Sequence, residues 1–177
     1  AATDGVALFD IVAGFVNAQV LFALVQLDIL RDLRDAPATA QALGVHHGIE
    51  TARMMRLLDA AVALDLLEKS KRGYQTARQG AALLGVPGLD GMIRHHDAFY
   101  RDMADPVALL RGETQTELAR FWPYVFGAGA AQDPKLAERY SALMADSQTL
   151  VAEETLRAIE FEETHHLMDV GGGTGAF

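Results

Sequence analysis

Leu167-Met168-Asp169-Val170-Gly171-Gly172-Gly173-Thr174-Gly175-Ala176-Phe177 decides how the rest of the chain is read. A short apolar run breaks into clustered glycines, the pattern of a buried strand that turns sharply into a helix cradling a ligand. Glycine at 171, 173 and 175 lets the backbone take positive φ and approach a ligand that a Cβ would hold off. A bare glycine run also builds ligand-free turns. Asp169, two positions before the first glycine, sharpens the reading. A loop that binds dinucleotide phosphates offers a helix N-terminus to an anion, whereas a carboxylate this close suits a cationic ligand.

Upstream of that loop, Asp133-Pro134 opens a long helix to about Ile159, with Tyr140, Leu143, Met144, Leu150, Val151, Leu156 and Ile159 near helical spacing. Glu162, Glu163, Thr164, His165 and His166 form a polar, solvated connection into the strand. Residues 117–126 concentrate Phe121, Trp122, Tyr124 and Phe126 ahead of a small-residue stretch. Aromatics at these spacings build either core or the wall of an apolar pocket, and both stay open. Asp105-Pro106 starts a short helix ending near Gly112, since proline suits the first turn. Residues 89–103 form a helix that carries His95, His96, Phe99 and Tyr100. Adjacent histidines point in different directions on a helix and make a poor ligand pair. They read as polar contacts at the surface or a pocket edge, and no metal site is expected.

At the other end, residues 4–33 read as one helix. Leu8, Ile11, Val12, Phe15 and Val16 form a stripe that Val20, Leu24 and Leu27 continue, while Phe9, Leu21, Phe22 and Val25 occupy the remaining face. One core cannot cover all of it, and a partner subunit is the economical cover. Residues 6–25 are about long enough to span a bilayer, but Asp10, Asn17 and Gln19 interrupt them, so no transmembrane span is expected. Thr39 caps a short helix that Gly44 stops. A second helix runs over 49–64, residues 66–74 form a two-stranded wing turning at Lys71-Arg72-Gly73, and 76–84 add a helical turn. Helix, turn, helix and wing look like a winged-helix unit, which raises a DNA-binding regulator as the alternative function. Its candidate recognition helix offers only Arg53 and Arg56, with Glu50 and Asp59 beside them.

The 177 residues carry a net charge of −9, so a phosphate backbone is repelled and no nucleic-acid partner is expected. There is no cysteine, which excludes disulfides and thiolate metal sites and fits a reducing compartment. The first residues hold no basic leader followed by an apolar core; no signal peptide is expected, and the cytoplasm is the expected location.

The Asp-Val-Gly-Gly-Gly-Thr-Gly string resembles motif I of class I S-adenosylmethionine-dependent methyltransferases. This resemblance implies S-adenosyl-L-methionine as cofactor, bound by Asp169, Gly171, Gly172, Gly173 and Gly175. Residues 133–147 resemble the helix that precedes motif I in plant-type small-molecule O-methyltransferases, which implies that Met144 abuts the acceptor and that Ser147 and Gln148 approach the cofactor. Leu136 and Ser141 depart from that pattern. Plant-type members carry a winged-helix unit as their N-terminal dimerisation domain, which implies a homodimer formed through the N-terminal helices. Residues 99–112, Phe-Tyr-Arg-Asp-Met-Ala-Asp-Pro-Val-Ala-Leu-Leu-Arg-Gly, with Phe121-Trp122-Pro123-Tyr124, are similar to the bacterial branch that includes the hydroxyneurosporene and demethylspheroidene O-methyltransferases.

The resemblance covers the whole chain and implies a mainly α fold. A winged-helix-like dimerisation domain with a small β wing is expected over 1–86, and a helical substrate-pocket and linker region over 87–160. The first strand and glycine loop of a Rossmann-like domain are expected over 161–177. The implied reaction is methyl transfer to a hydroxyl of a small apolar acceptor such as a hydroxylated carotenoid, with Tyr100, Trp122, Phe126 and Met144 as acceptor-binding residues. A carotenoid acceptor would associate the enzyme with the membrane. The plant enzymes' catalytic histidine lies downstream of motif I, and none of the six histidines here matches it, so the catalytic base stays unassigned. The expectation is the N-terminal part of a methyltransferase, incompetent by itself; a non-catalytic dimerisation module is a further alternative.

Overall fold

Helix α1 spans Ala2–Gln26, and the single helix expected over 4–33 is broken just after it. In the computed structural model, which describes residues 2–121, 134–159, 165–168 and 170, Asp28 adopts the left-handed conformation at φ 55°, and a second short helix, α2, restarts at Ile29–Asp32. Aspartate tolerates that conformation better than most residues. The break turns Ile29 and Leu30 inward, where they are 0% and 2% exposed.

Two units are separated after Gly85: Ala1–Gly85 and Val86–Phe177. In the first, Thr39 caps α3 (Ala40–His47) by accepting from the Ala42 N–H at 3.2 Å, as expected. Gly44 does not stop this helix. A Cβ there would lie 2.6 Å from the Ile49 carbonyl oxygen, so the glycine serves close packing inside α3, and the left-handed C-cap is Gly48. Glu50 caps α4 (Thr51–Ala63), its carboxylate accepting from Ala52 N–H at 2.9 Å and Arg53 N–H at 3.1 Å.

The hairpin follows: β1 (Leu67–Ser70) pairs antiparallel with β2 (Gly73–Thr76), Leu67 opposite Thr76 and Ser70 opposite Gly73. Ala38 bridges to Tyr74 through both backbone hydrogen bonds, 3.0 and 2.8 Å, and ties the segment before α3 to the wing. Helix α5 (Arg78–Gly85) closes the unit. The expected mainly helical fold with one small two-stranded sheet is what the described residues form.

Leu24, Ile29, Leu30, Leu33, Met54, Leu58 and Leu67 are the largest fully buried side chains among the described residues. Leu58→Ala is expected to lower stability by about 2–5 kcal/mol, because a lost isobutyl group leaves a cavity as well as less buried area. Val45→Ala, at a side chain 79% exposed, is expected to stay within about 0.5 kcal/mol of the parent. Urea unfolding of the three proteins compares them. The first half of α1 is built differently: Val6, Leu8, Phe9, Ile11, Val12, Phe15 and Val16 are 58–75% exposed. Thr3–Gln26 is long and apolar enough to cross a membrane by length and composition.

The second unit holds α6 (Leu89–Asp102), α7 (Pro106–Leu110), α8 (Glu117–Phe121) and α9 (Pro134–Ala158). α6 packs on α8 and α9, and α8 on α9. Asp105 caps α7, accepting from Val107 and Ala108 N–H at 3.1 and 2.9 Å, with Pro106 in the first turn as expected. The strand expected at 167–170 is not formed by the described residues. Leu167, Met168 and Val170 are 77%, 84% and 86% exposed. A parallel strand is held by neighbours on its edges and faces, and no described strand lies beside this one.

Candidate functional site

Asp169, Gly171, Gly172, Gly173, Gly175, Trp122 and Phe126 lie outside the described residues, as does the side chain of Ser147 on α9. Three of the sequence-predicted site residues can be placed fully. Tyr100 on α6 and Met144 on α9 are both half-buried, and these two helices pack together. Gln148, one turn beyond Met144, is exposed.

Tyr100 belongs to an aromatic cluster on one side of α6. Its ring centroid lies 6.0 Å from His96 and 6.3 Å from Phe99, and His96 and Phe99 are 5.9 Å apart. The spacing i, i+3, i+4 stacks these rings on successive turns. His96 Nδ1 donates to the Met92 carbonyl oxygen at 2.8 Å. Since a carbonyl only accepts, a proton sits on Nδ1.

Burial, with a smaller contribution from neighbouring His96, holds His95 below its ordinary pKa of 6.5. The folded state therefore binds a proton less readily than the unfolded chain. The stabilisation is present above about pH 6.5 and is lost as the pH falls from there through the lowered folded value. Unfolding of this unit, followed between pH 7.5 and 5, is expected to show stability falling with pH, with His95→Gln flattening the slope.

The end of α6 fixes the start of α8, an arrangement that sequence spacing did not reveal. Asp102, 8% exposed, accepts from the Glu117 N–H at 2.8 Å and the Leu118 N–H at 3.0 Å, filling the role of a helix cap from fifteen residues away. Arg101 grips the same helix from its side chain, Nε and Nη2 donating to the two Glu117 carboxylate oxygens at 2.9 and 2.8 Å, while Nη1 pairs with Asp97. Glu117 first, then Asp97, hold the Arg101 guanidinium above its ordinary value. Asp102→Ala is expected to cost about 1–2 kcal/mol, the value of a lost cap, and to weaken amide protection at Glu117 and Leu118 in hydrogen exchange. The segment Phe99-Tyr100-Arg101-Asp102 thus carries a pocket-candidate ring and the clamp that holds the next helix.

In the first unit, Asp32 at the end of α2 and His46 and His47 in the last turn of α3 each present a ligand-type atom, all within 4.8 Å of one another. On the wing, Lys69 and Tyr74 both donate to Asp59 Oδ1 at 2.7 Å, and the Lys69 ammonium lies 5.0 Å from the Tyr74 ring centroid. Lys69, followed by Tyr74, keeps the Asp59 carboxylate below its usual range.

Comparison with known proteins adds what geometry alone does not. Residues 9–85 match the O-methyltransferase dimerisation domain, and residues 100–177 match the O-methyltransferase domain. The chain is similar to demethylspheroidene O-methyltransferase of Cereibacter sphaeroides, 55% identical over 175 residues, a span covering 98% of this chain and 46% of that protein. It is similar in fold to the mitomycin 7-O-methyltransferase MmcR, with a TM-score of 0.75 at 21% identity, covering 99% of this chain and 53% of that one. It is also similar to CalO1, a methyltransferase of calicheamicin biosynthesis solved in its SAH-bound form, with a TM-score of 0.69 at 25% identity over 99% of this chain and 54% of that one. The chain thus spans about half the length of the proteins it matches. Two domain matches follow one another along the chain, the O-methyltransferase dimerisation domain first and the O-methyltransferase domain second.

Proposed function

We propose that this chain is the N-terminal half of an S-adenosyl-L-methionine-dependent O-methyltransferase that acts on a hydroxyl group of a small apolar molecule, a hydroxylated carotenoid. The observation that carries the reading is 55% identity to a demethylspheroidene O-methyltransferase across nearly the whole chain.

The donor set fits the cofactor. Residues 165–177 combine one carboxylate, Asp169, with glycine backbone and contain no lysine or arginine, a composition suited to a cationic ligand and not to a polyphosphate. Asp169 and the loop of Gly171, Gly172, Gly173 and Gly175 would hold it, with Ser147 and Gln148 approaching from α9. When bound, the cofactor supplies an electrophilic methyl group on a sulfonium.

The residues of this chain do the rest by position. Met144 and Tyr100, on packed helices, with Trp122 and Phe126, would enclose the acceptor, align its oxygen and exclude water. The hydroxyl proton must leave as the new C–O bond forms; no histidine of this chain is assigned that role. The exposed apolar side of α1 would be covered by a second copy, forming a homodimer, which the match to a dimerisation domain over residues 9–85 supports. The enzyme would work in the cytoplasm, at the membrane surface where a carotenoid partitions.

Calorimetric titration of S-adenosylmethionine into the protein, and into Asp169→Ala, tests the cofactor site. Saturable binding by the parent and at least about tenfold weaker binding by the variant are expected, the value of one charged hydrogen bond. Absence of binding by the full-length protein, or equal affinities, would contradict it.

A further inference from the structure

Two histidines adjacent in sequence, His46 and His47, turn their Nε2 atoms toward the same carboxylate. His47 Nε2 lies 2.7 Å from Asp32 Oδ2, and His46 Nε2 lies 4.0 Å from Asp32 Oδ1. The two rings meet edge to face with centroids 4.6 Å apart. Consecutive residues diverge on a regular helix, so this convergence has to be built. Both histidines lie in the last turn of α3, which Gly48 closes in the left-handed conformation, its N–H turning back onto the Gly44 and Val45 carbonyls.

Asp32 is held just as firmly from the other side. It ends α2, whose Ile29 and Leu30 are 0% and 2% exposed, and Leu33 immediately after it is 2% exposed. The donors therefore stand on two anchored elements and not on a loose loop, which is the pre-organisation a bound ion needs.

We propose that Asp32, His46 and His47 form a binding site for a divalent first-row transition metal ion of the zinc, nickel or copper type, remote in sequence from the methyl-transfer residues and independent of that function. Two imidazoles and one carboxylate are a donor set that selects these ions over magnesium or calcium, which demand oxygen ligands. The geometry is close to what coordination requires. Ligand atoms around a tetrahedral zinc, at bonds of about 2.0–2.1 Å, stand about 3.3 Å apart. The His47–Asp32 pair needs to open slightly, the His46–Asp32 pair to close by less than an ångström, and the remaining spacings, all within 4.8 Å, to close by up to about 1.5 Å.

The charge also suits a dication: one carboxylate is present, and both imidazoles bind in the neutral form. The carbonyl end of the α3 dipole adds favourable potential. Since the donors come from both α2 and α3, an ion there would staple the segment following α1 to the helix pair α3–α4 and stabilise the fold of the first unit. His46 and part of Asp32 are open to solvent, with side chains 67% and 29% exposed, so an ion can enter and water can complete its coordination.

The test is titration of zinc chloride into the metal-free full-length chain by calorimetry, together with cobalt(II) substitution read by visible absorption. One equivalent is expected to bind, with a tetrahedral or five-coordinate cobalt band and a rise of about 3 °C in the unfolding midpoint of the first unit that chelator reverses. Magnesium chloride at the same concentration should do neither. His46→Ala removes a side chain that the fold does not bury, and Asp32→Asn keeps the hydrogen bond to His47 but not the charge. Each is expected to weaken zinc binding by at least about tenfold, while His165→Ala combined with His166→Ala leaves it unchanged. The proposal is overturned if zinc does not bind, if both site variants bind as the parent does, or if binding is lost with the downstream histidine pair instead.

Discussion

Phe15→Glu is expected to convert the protein from dimer to monomer. Phe15 is 66% exposed on α1 and lies beside Leu8, Ile11, Val12 and Val16, which are exposed to a similar degree. Leaving this surface in water forfeits the transfer free energy of seven large apolar side chains. In a two-fold symmetric interface the same patch is used by both subunits, so one substitution places two carboxylates in apolar surroundings. A rise of about 100-fold or more in the dissociation constant follows.

The helix itself should survive, because glutamate is a good helix former at an exposed position. Sedimentation equilibrium and far-ultraviolet circular dichroism separate the two effects. Leu110→Glu, at a side chain 88% exposed in the second unit, is the matched control and should leave association unchanged. A parent protein that stays monomeric at high concentration, or a Phe15→Glu variant that still dimerises, would remove α1 from the interface. Vesicle binding by that monomer would then point to a bilayer as the cover for the helix.

Gly73→Ala should produce the largest loss of stability from a single methyl group. Gly73 opens β2 at φ 118°, a conformation that L-residues rarely adopt, and an added Cβ would stand 2.3 Å from the Ala38 carbonyl oxygen and 2.6 Å from its carbon. Both are backbone atoms, so no side chain can rotate aside. Relief requires opening the Ala38–Tyr74 bridge, the contact that positions the segment leading into α3. Strain and lost pairing together are expected to cost about 3 kcal/mol or more. For a unit of this size that is a fall of roughly 15 °C in unfolding midpoint. Gly85→Ala, where nothing lies within 4 Å of the added carbon, should be neutral or slightly stabilising. Equal midpoints for the two variants would show that the wing does not hold the unit together.

Local chemistry was legible in the sequence and tertiary placement was not. Thr39 as a cap, Asp105-Pro106 as a helix start and the turn at Lys71-Arg72 are decided within four residues, and the structure forms each of them. The break at Asp28 carries no glycine or proline, so apolar spacing runs through it unmarked. Gly44 misleads for the opposite reason: a glycine that stops a helix and one that lets another chain segment approach look alike until Ile49 is seen against it.

The clamp of Arg101 and Asp102 on Glu117, and the meeting of Asp32 with His46 and His47, join residues roughly fifteen positions apart. Their partners are chosen by helix packing and have no spacing signature. At the candidate methyl-transfer site the situation is reversed. The role of the glycine loop rests on its resemblance to motif I, carried by a contiguous string of residues, whereas Tyr100 and Met144 acquire a shared context only through the packing of α6 on α9.

Methyl transfer is the direct test of the central claim. Full-length protein containing these residues should be incubated with S-adenosylmethionine labelled in its methyl group and a hydroxylated carotenoid in lipid vesicles, with the products resolved by mass spectrometry. The expected result is a labelled methyl ether of the carotenoid, formed by the parent and reduced at least about tenfold in Asp169→Ala at limiting cofactor. A parent protein that binds neither cofactor nor carotenoid and yields no ether would contradict the assignment.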